Sequence, residues 1–270
     1  MNKDQLLEKL WEQYVELAPS AKKVHQLFLD KGETVENDHI ALRTFNDPRV
    51  NVDKMSEAFL ACGYEAKGEY VFEAKKLFAK HYEHKTDKNA PRIFISELRL
   101  EQCSEYLQEI VDSCMAISGV DDIDPKELAF KGRLWGKPSY GVYQRLLEES
   151  EYAAWMYVYG FCTNHFTVYI NPLQHFDSVE EVNTLLKDNG FKMNASGGEI
   201  KGTPEQLLEQ SSILADKLSI EFVEGTYEIP ACYYEFAKRY PKADGELFSG
   251  FVASSADKIF ESTNVTVQSS

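Results

Sequence analysis

The 270-residue chain has no long hydrophobic run and no excess of positive charge. None of its apolar stretches approaches the ~20 residues that a membrane-spanning helix needs. The formal net charge is −15, from 44 acidic and 29 basic side chains. A nucleic-acid or anionic-membrane surface needs a basic footprint. We therefore expect no membrane span and no nucleic-acid partner, whereas a local basic spot for a small anionic substrate is compatible with this composition.

Cysteines are few and form no recognisable framework. The five, at positions 62, 103, 114, 162 and 232, include no CxxC pair. An odd number of scattered cysteines favours reduced thiols. The N-terminal stretch MNKDQLLEKLWEQY mixes charged with apolar residues and lacks the apolar centre of a signal peptide. These features together predict a cytoplasmic location.

Hydrophobic residues make up 43% of the chain and charged residues 27%, which is ordinary for a globular protein with a substantial core.

Two segments of the chain have the same alternating pattern. Residues 163–171, TNHFTVYIN, alternate strictly, with His165 on one face and apolar side chains on the other. Residues 38–45, DHIALRTF, repeat this alternation with His39 and Arg43 on one face. Period-two alternation predicts a half-buried strand in each segment.

The similarity continues downstream of both histidines. A loop with a proline and an amphipathic helical run follow each one, and the run ends at Gly63 in the first copy and at Gly190 in the second. These glycines lie 24 residues after His39 and 25 residues after His165. An internal repeat indicates a shared architecture, so two histidines at matched positions become candidate metal ligands.

Each copy reads as strand, helix and three strands, and the last strand of each contains a glutamate. These are Glu97 in RIFISELRL and Glu235 in YYEFAKR. A carboxylate between aromatic residues of an apolar strand costs several kcal/mol unless it is paired or coordinated. Glu235 could therefore bind a metal, or it could form an ion pair with Lys238, Arg239 or another base.

The predicted fold class is α+β, with two fused βαβββ modules that form a half-open barrel. We interpret residues 1–270 as a single catalytic domain of five segments. In chain order these are N-terminal helices (1–34), the first module (35–100), a helical connector (101–160), the second module (161–240) and a C-terminal closing segment (241–270). Within the second module, the stretch EQLLEQ at 205–210 predicts a short helix.

His39, His165 and Glu235 would supply two imidazoles and one carboxylate on the concave face. Non-haem Fe(II) oxygenases use this ligand set and leave adjacent positions open for substrate and dioxygen. Zinc accepts the same ligands, so the set alone does not define the metal. Arg43 stands four residues beyond His39, roughly 13 Å along a strand. It could hold the far carboxylate of a diacid, or it could form a structural ion pair.

The motifs H-x-x-x-R (His39 to Arg43), NHF around His165 and YYEF around Glu235 resemble one branch of the vicinal oxygen chelate superfamily. That branch is the 2-oxoadipate dioxygenase/decarboxylase family, also called hydroxyglutarate synthase. The resemblance extends from the segment VENDHIALRTF to the tail segment SGFVASSADKIFES.

The resemblance implies a specific activity. Members use Fe(II) and O2 to convert 2-oxoadipate into D-2-hydroxyglutarate and CO2, a step of lysine catabolism. By the matched motifs, the iron ligands would be His39, His165 and Glu235, which would also contact the substrate. Arg43 would act as the catalytic residue that binds the substrate carboxylate, and Ser254 (or Ser255) would close the pocket.

Two other readings stay open. One is a Zn²⁺- or Ni²⁺-dependent lyase or isomerase of glyoxalase type, with Glu97 as a fourth protein ligand. The other is a non-catalytic protein of this fold that binds a small ligand. The sequence leaves undetermined the metal, the preferred 2-oxo acid and the oligomeric state.

Overall fold

The computed structural model describes residues 1–253, 258 and 263. The helices are α1 (Lys3–Leu17), α2 (Pro19–Asp30), α3 (Val52–Ala61), α4 (Glu105–Ile117), α5 (Tyr140–Glu149), α6 (Glu151–Tyr159) and α7 (Val179–Asp188). The strands are β1 (Asn37–Phe45), β2 (Tyr64–Phe72), β3 (Leu77–His84), β4 (Arg92–Leu98), β5 (Thr163–Tyr169), β6 (Lys201–Thr203), β7 (Leu208–Ser212), β8 (Lys217–Phe222), β9 (Gly225–Pro230) and β10 (Tyr233–Arg239). Within this described part of the chain, no helix is long and apolar enough to cross a membrane.

The chain divides into two units. The first comprises residues 1–14, 41–164 and 217–229, and the second comprises 15–40, 165–216 and the residues from 230 onward. The division passes through β1, whose first four residues belong to the second unit and whose remainder belongs to the first.

The first unit contains the first module in the predicted order of strand, helix and three strands. Its strands are hydrogen-bonded in the order β2-β3-β4-β1, and β3 is antiparallel to both β2 and β4. Helices α4, α5 and α6 fall in the segment that the sequence predicts to be helical. Strands β8 and β9 form a separate two-stranded sheet in this unit.

The second unit contains the second module, with strands in the order β1-β5-β10-β7-β6. Strand β10 is parallel to β5 and antiparallel to β7. In the chain, the β8–β9 hairpin separates β7 from β10, so the last strand of this module arrives after an insertion. The α+β fold class predicted from the sequence is confirmed.

The helix predicted for EQLLEQ is wrong. Residues Pro204–Gln206 form one 3-10 turn, Leu207 takes a left-handed conformation with φ 64°, and β7 follows. All five residues of β7 are buried, and they pair with β10. Glu, Gln and Leu are good helix formers, but helix propensity is a weak preference that strand pairing and burial outweigh.

The two faces of β10 have different surroundings. Phe236 lies on one face, with its ring 6.2 Å from the ring of Phe28 on α2. On neighbouring β7, Ser211 pairs with Phe236 in register and donates a hydrogen bond to Asn183 of α7. That face is therefore covered by helices. Because side chains alternate along a strand, Glu235 projects from the opposite face.

Candidate metal centre

Three side chains from three strands of the second unit meet on the face of Glu235. Nε2 of His39 lies 3.4 Å from Oε1 of Glu235, and Nε2 of His165 lies 3.1 Å from Oε2. The imidazole rings stand nearly perpendicular, with centroids 5.6 Å apart. One ligand-type atom from each residue can be chosen so that all three lie within 4.8 Å of one another.

This geometry fits a divalent metal ion. Ligand atoms about 2.1 Å from a metal and in adjacent positions of an octahedron lie about 3 Å from each other. The two nitrogen–oxygen distances to Glu235 are close to that separation. All three side chains are buried, with exposures of 2% for His39, 4% for His165 and 0% for Glu235. Among the residues that the structure describes, no other group of three or more ligand-type side chains is found.

Electrostatics favour the ionised form of Glu235 even though it is fully buried. Burial by itself raises the pKa of this carboxyl, but the two imidazoles and a hydrogen bond from Gln210 outweigh it, so the pKa lies below its ordinary value. Gln210 Nε2 donates to Oε1 of Glu235 at 2.5 Å. The carboxylate is thus available as an anionic ligand.

The alternative of an ion pair between Glu235 and Lys238 or Arg239 is wrong, and the bases that face Glu235 are His39 and His165. Lys238 donates to the carbonyl oxygen of Asp177, and Arg239 pairs with Asp38. The residue types near Glu235 in the sequence suggested these partners. Strand alternation places Lys238 on the opposite face, whereas Arg239 shares the face of Glu235 but pairs with Asp38.

Asp38 defines which nitrogen of His39 carries the proton. Oδ1 of Asp38 lies 2.8 Å from Nδ1 of His39. Because a carboxylate can only accept, Nδ1 must be the donor in the neutral ring, and Nε2 keeps its lone pair. Nε2 lies 3.1 Å from Oγ1 of Thr167 and faces Glu235. A carboxylate bonded to the distal nitrogen of a histidine is the usual support of a metal ligand.

Sequence reasoning missed this supporting group. The dipeptide Asp38-His39 was the available signal, because the carboxylate directly precedes the candidate ligand. Arg239 and Gln210 gave no comparable signal, since their contacts with Asp38 and Glu235 join positions far apart in the chain.

Aromatic rings form walls beside the histidines. Tyr233 stands opposite His165 in the β10–β5 register, and the two rings stack with centroids 4.6 Å apart. Phe251, in the segment after β10, packs edge-on against His39 at 4.9 Å. Both aromatic residues are buried, so the candidate centre has apolar surfaces that limit access of water.

Glu97 does not match Glu235 in its surroundings. Its carboxylate accepts a hydrogen bond of 2.8 Å from the backbone N–H of Val52, at the start of α3. Strand alternation places it opposite to Ser96, whose hydroxyl lies 3.1 Å from that of Tyr152. The interpretation of Glu97 as an inward residue and fourth metal ligand is therefore wrong. It accepts a backbone N–H that has no partner within the first turn of the helix.

Arg43 is buried in the first unit, with 1% of its surface exposed. Its guanidinium carbon lies 4.9 Å from the ring centre of Tyr152 and 5.0 Å from that of Trp155. Nη1 lies 3.2 Å from Oε1 of Glu151. This arginine thus already engages one carboxylate. Ser254, the remaining candidate substrate contact, lies outside the described residues.

The fold and the three converging side chains define a candidate divalent-metal protein. Comparison with known proteins specifies the family. The family model for 2-oxoadipate dioxygenase/decarboxylase matches residues 5–246. A chloroplastic/amyloplastic 2-oxoadipate dioxygenase/decarboxylase from Oryza sativa subsp. japonica is 36% identical over an alignment of 275 positions that covers 93% of this chain and 76% of the relative. The chain belongs to the 2-oxoadipate dioxygenase/decarboxylase family, as its motifs suggested.

Solved structures agree on the fold. Hydroxyglutarate synthase from Oryza sativa in complex with 2-oxoadipate matches with a TM-score of 0.91 and 32% identity, over 98% of this chain and 93% of that chain. A protein from Shewanella frigidimarina described as a hydrolase matches with a TM-score of 0.86 and 48% identity, over 93% and 97% of the two chains. A glyoxalase superfamily protein from Ralstonia eutropha, at 20% identity and a TM-score of 0.73 over 91% and 84%, shares the fold.

Proposed function

We propose that this protein is an Fe(II)-dependent dioxygenase/decarboxylase that converts 2-oxoadipate and O2 into D-2-hydroxyglutarate and CO2, and that it serves lysine catabolism in the cytoplasm. The observation that carries the proposal is the buried cluster of His39, His165 and Glu235 in a chain of this family. The Oryza sativa relative with bound 2-oxoadipate supports the substrate class.

The cluster would hold the metal through His39, His165 and Glu235. A triad of two histidines and one carboxylate leaves adjacent coordination positions at which Fe(II), when bound, can bring a 2-oxo acid and O2 together. The substrate supplies the electrons, so no separate reducing cosubstrate is required. One carboxylate of the substrate leaves as CO2, and both atoms of O2 remain in the hydroxy acid.

The surrounding residues would prepare this centre. Asp38 holds the proton on Nδ1 of His39, and Gln210 orients the Glu235 carboxylate by donating to Oε1. Tyr233 and Phe251 limit water beside the histidines. An anionic ligand set in a partly dry environment interacts strongly with a divalent cation, because the local dielectric is low.

Arg43 remains the proposed partner of the far carboxylate of the substrate. It lies on the same strand as His39, four residues further along, and a planar guanidinium suits bidentate recognition of a carboxylate. Its contact with Glu151 also supports a simpler structural role. The two roles differ in their effect on the apparent affinity for diacids.

The test is anaerobic purification, metal analysis and reconstitution with Fe(II), followed by O2 uptake with a panel of 2-oxo acids. We expect about one metal ion per chain, oxygen uptake only with Fe(II), and a preference for 2-oxoadipate. With ¹⁸O2, the product should carry two heavy oxygen atoms. Mass spectrometry of the hydroxy acid measures this label.

Control reactions separate the other readings. A glyoxalase-type lyase or a hydrolase would turn over without oxygen, and a binding protein would retain the 2-oxo acid unchanged. Product formation under strict anaerobiosis, or hydroxy acid without heavy oxygen, would contradict the dioxygenase assignment. His39→Ala is the matched negative control, because it removes one proposed ligand.

A further inference from the structure

Beyond the candidate ligands, one buried arginine connects the metal centre with the segment that follows β10. Arg239 is 1% exposed, and its side chain contacts Asp38 and residues 248–251, all in the second unit. Nε donates to Oδ2 of Asp38 at 2.6 Å, and Nη2 donates to Oδ1 at 2.8 Å. This is a bidentate pair, the strongest geometry that an arginine makes with a carboxylate.

The oxygen of Asp38 that accepts the hydrogen bond from Nη2 of Arg239 also accepts one from His39. Oδ1 of Asp38 lies 2.8 Å from Nδ1 of His39. The guanidinium therefore determines where the acceptor of the imidazole proton lies, and thereby the tilt and the tautomer of the ring. The backbone of Arg239 is held in turn, since its N–H and C=O are bonded to the side chain of Asn171.

The third nitrogen of the guanidinium binds the tail. Nη1 donates to the carbonyl oxygens of Phe248 at 3.0 Å and Gly250 at 2.7 Å. The next residue, Phe251, lies with its ring 5.2 Å from the guanidinium and 4.9 Å from the His39 ring. The Arg239 side chain thus contacts Asp38, which supports the candidate ligand His39. It also contacts the segment that places Phe251 beside His39.

Stability alone is a poor explanation of this arrangement. A buried ion pair gains little net free energy over apolar residues of the same volume, because both charges lose their hydration. Its position next to a candidate metal ligand gives it a chemical role. Only an arginine offers a planar fork together with a further donor nitrogen, whereas lysine presents a single ammonium group.

We propose that Arg239 is a positioning residue that couples the order of residues 248–253 to metal binding at His39. It holds Asp38 so that His39 presents its unprotonated Nε2, and it fixes the tail so that Phe251 covers the same ring. The inference rests on the metal centre of the proposed function. Metal binding and tail order should therefore strengthen each other, because both depend on one guanidinium.

The test uses Arg239→Lys in the full-length protein, with Co(II) alone as the metal probe. Lysine keeps the charge but loses the fork. We expect Co(II) affinity to fall 10–100-fold, as for other residues that support a metal ligand. In the metal-free protein, imidazole ¹⁵N shifts should show Nδ1–H for His39 in the wild type and a mixture of tautomers in the variant.

Arg133→Lys is the matched control. Arg133 lies in the first unit and donates to the carbonyl oxygen of Val158 at 2.6 Å. This change should lower stability while Co(II) affinity stays within about twofold of the wild type. An Arg239→Lys affinity within about twofold of the wild type, or an unchanged tautomer, would overturn the proposal.

A second measurement needs no variant. Hydrogen exchange of the peptide covering 248–253 should slow when Co(II) binds the wild-type protein, and equal exchange with and without the metal contradicts the coupling. His39→Ala distinguishes a failure of the metal centre from a failure of the role of Arg239. If it leaves Co(II) affinity unchanged, the metal centre itself is wrong. If it abolishes binding while Arg239→Lys has no effect, only the role of Arg239 is wrong.

Discussion

The last strands of the two modules each carry a glutamate, but the two carboxylates have different partners. Glu97 on β4 is half-buried and accepts the N–H of Val52 at the start of a helix. Glu235 on β10 is fully buried and faces two imidazoles. Both strands mix apolar residues with one acid, and the sequence motifs look alike.

The difference shows that the position of a residue along a strand determines which face of the sheet its side chain occupies. Successive side chains of a strand point to opposite faces, so a shift of one position moves a carboxylate from the interior to the helix layer. Beside Glu97, Ser96 takes the inward position and meets the hydroxyl of Tyr152. A duplicated architecture therefore provides two similar modules with a histidine on the first strand of each, but only the second module places its glutamate beside the histidines.

The largest effect should come from Glu235→Gln. The amide keeps the shape but removes the anionic ligand, so we expect more than about a 100-fold loss of Fe(II) affinity and loss of oxygen uptake in a protein that stays folded. Anaerobic metal titration and circular dichroism measure the two properties. Full activity in this variant would remove the contrast between the two glutamates.

The next largest effect concerns Arg43→Ala. If Arg43 binds the far carboxylate, the metal content should be unchanged while the apparent KM for dicarboxylic 2-oxo acids rises on the order of 10–100-fold, the loss of one charge-assisted hydrogen-bonded pair. Monocarboxylic 2-oxo acids should be affected much less. Steady-state kinetics with matched pairs of substrates measures this selectivity.

Glu151→Gln is the control for Arg43. It weakens the ion pair seen in the structure but leaves the guanidinium in place. If Arg43 serves only that pair, both variants should lose stability and neither should change the preference for diacids. Equal kinetics of wild type and Arg43→Ala would assign Arg43 to the framework of the first unit.

A smaller effect is expected for Tyr152→Phe, at the junction of β1 and β4. The hydroxyl accepts the N–H of Thr44 at 2.9 Å and lies 2.7 Å from the carbonyl oxygen of Ser96, and burial raises its pKa. Its loss leaves a buried backbone N–H without this acceptor, which costs about 1–3 kcal/mol. Urea unfolding measures this free energy, and an unchanged midpoint would contradict the structural role of the hydroxyl.

Glu97→Gln should have the smallest effect, with a defined pH dependence. Burial raises the pKa of Glu97 above its ordinary value of 4.5. Below that value the carboxyl is protonated in both the folded and the unfolded protein. As the pH rises through it, the unfolded state ionises first and the wild type loses stability relative to the variant. Urea unfolding of both proteins across acidic and neutral pH measures this difference.

The glutamine at position 97 can still accept the N–H of Val52, so the helix start is retained. Metal content and oxygen uptake should equal those of the wild type. Loss of metal from this variant would contradict the helix-end role of Glu97. A wild type that gains stability over the variant with rising pH would contradict the raised pKa.

The fold could be predicted largely because its signals are local. Strict alternation around His39 and His165 defined two strands, and the spacing to Gly63 and Gly190 revealed the duplication. The helix assigned to 205–210 failed because its sequence favours a helix only locally, whereas pairing with β10 decides the conformation of β7. The β8–β9 hairpin, inserted before β10, likewise did not follow from the repeat.

The sequence by itself determined the two-module plan and the three residues that could bind a divalent metal. Both follow from local features, namely the alternation of side chains along each strand and the ligand chemistry of histidine and glutamate. Only the tertiary structure decided which glutamate faces the histidines, because side-chain parity depends on strand register. It also revealed the path from Asp38 through Arg239 to Phe251. Those partners lie up to about two hundred residues apart in the chain, and hydrogen bonds over such separations exist only once the strands have assembled.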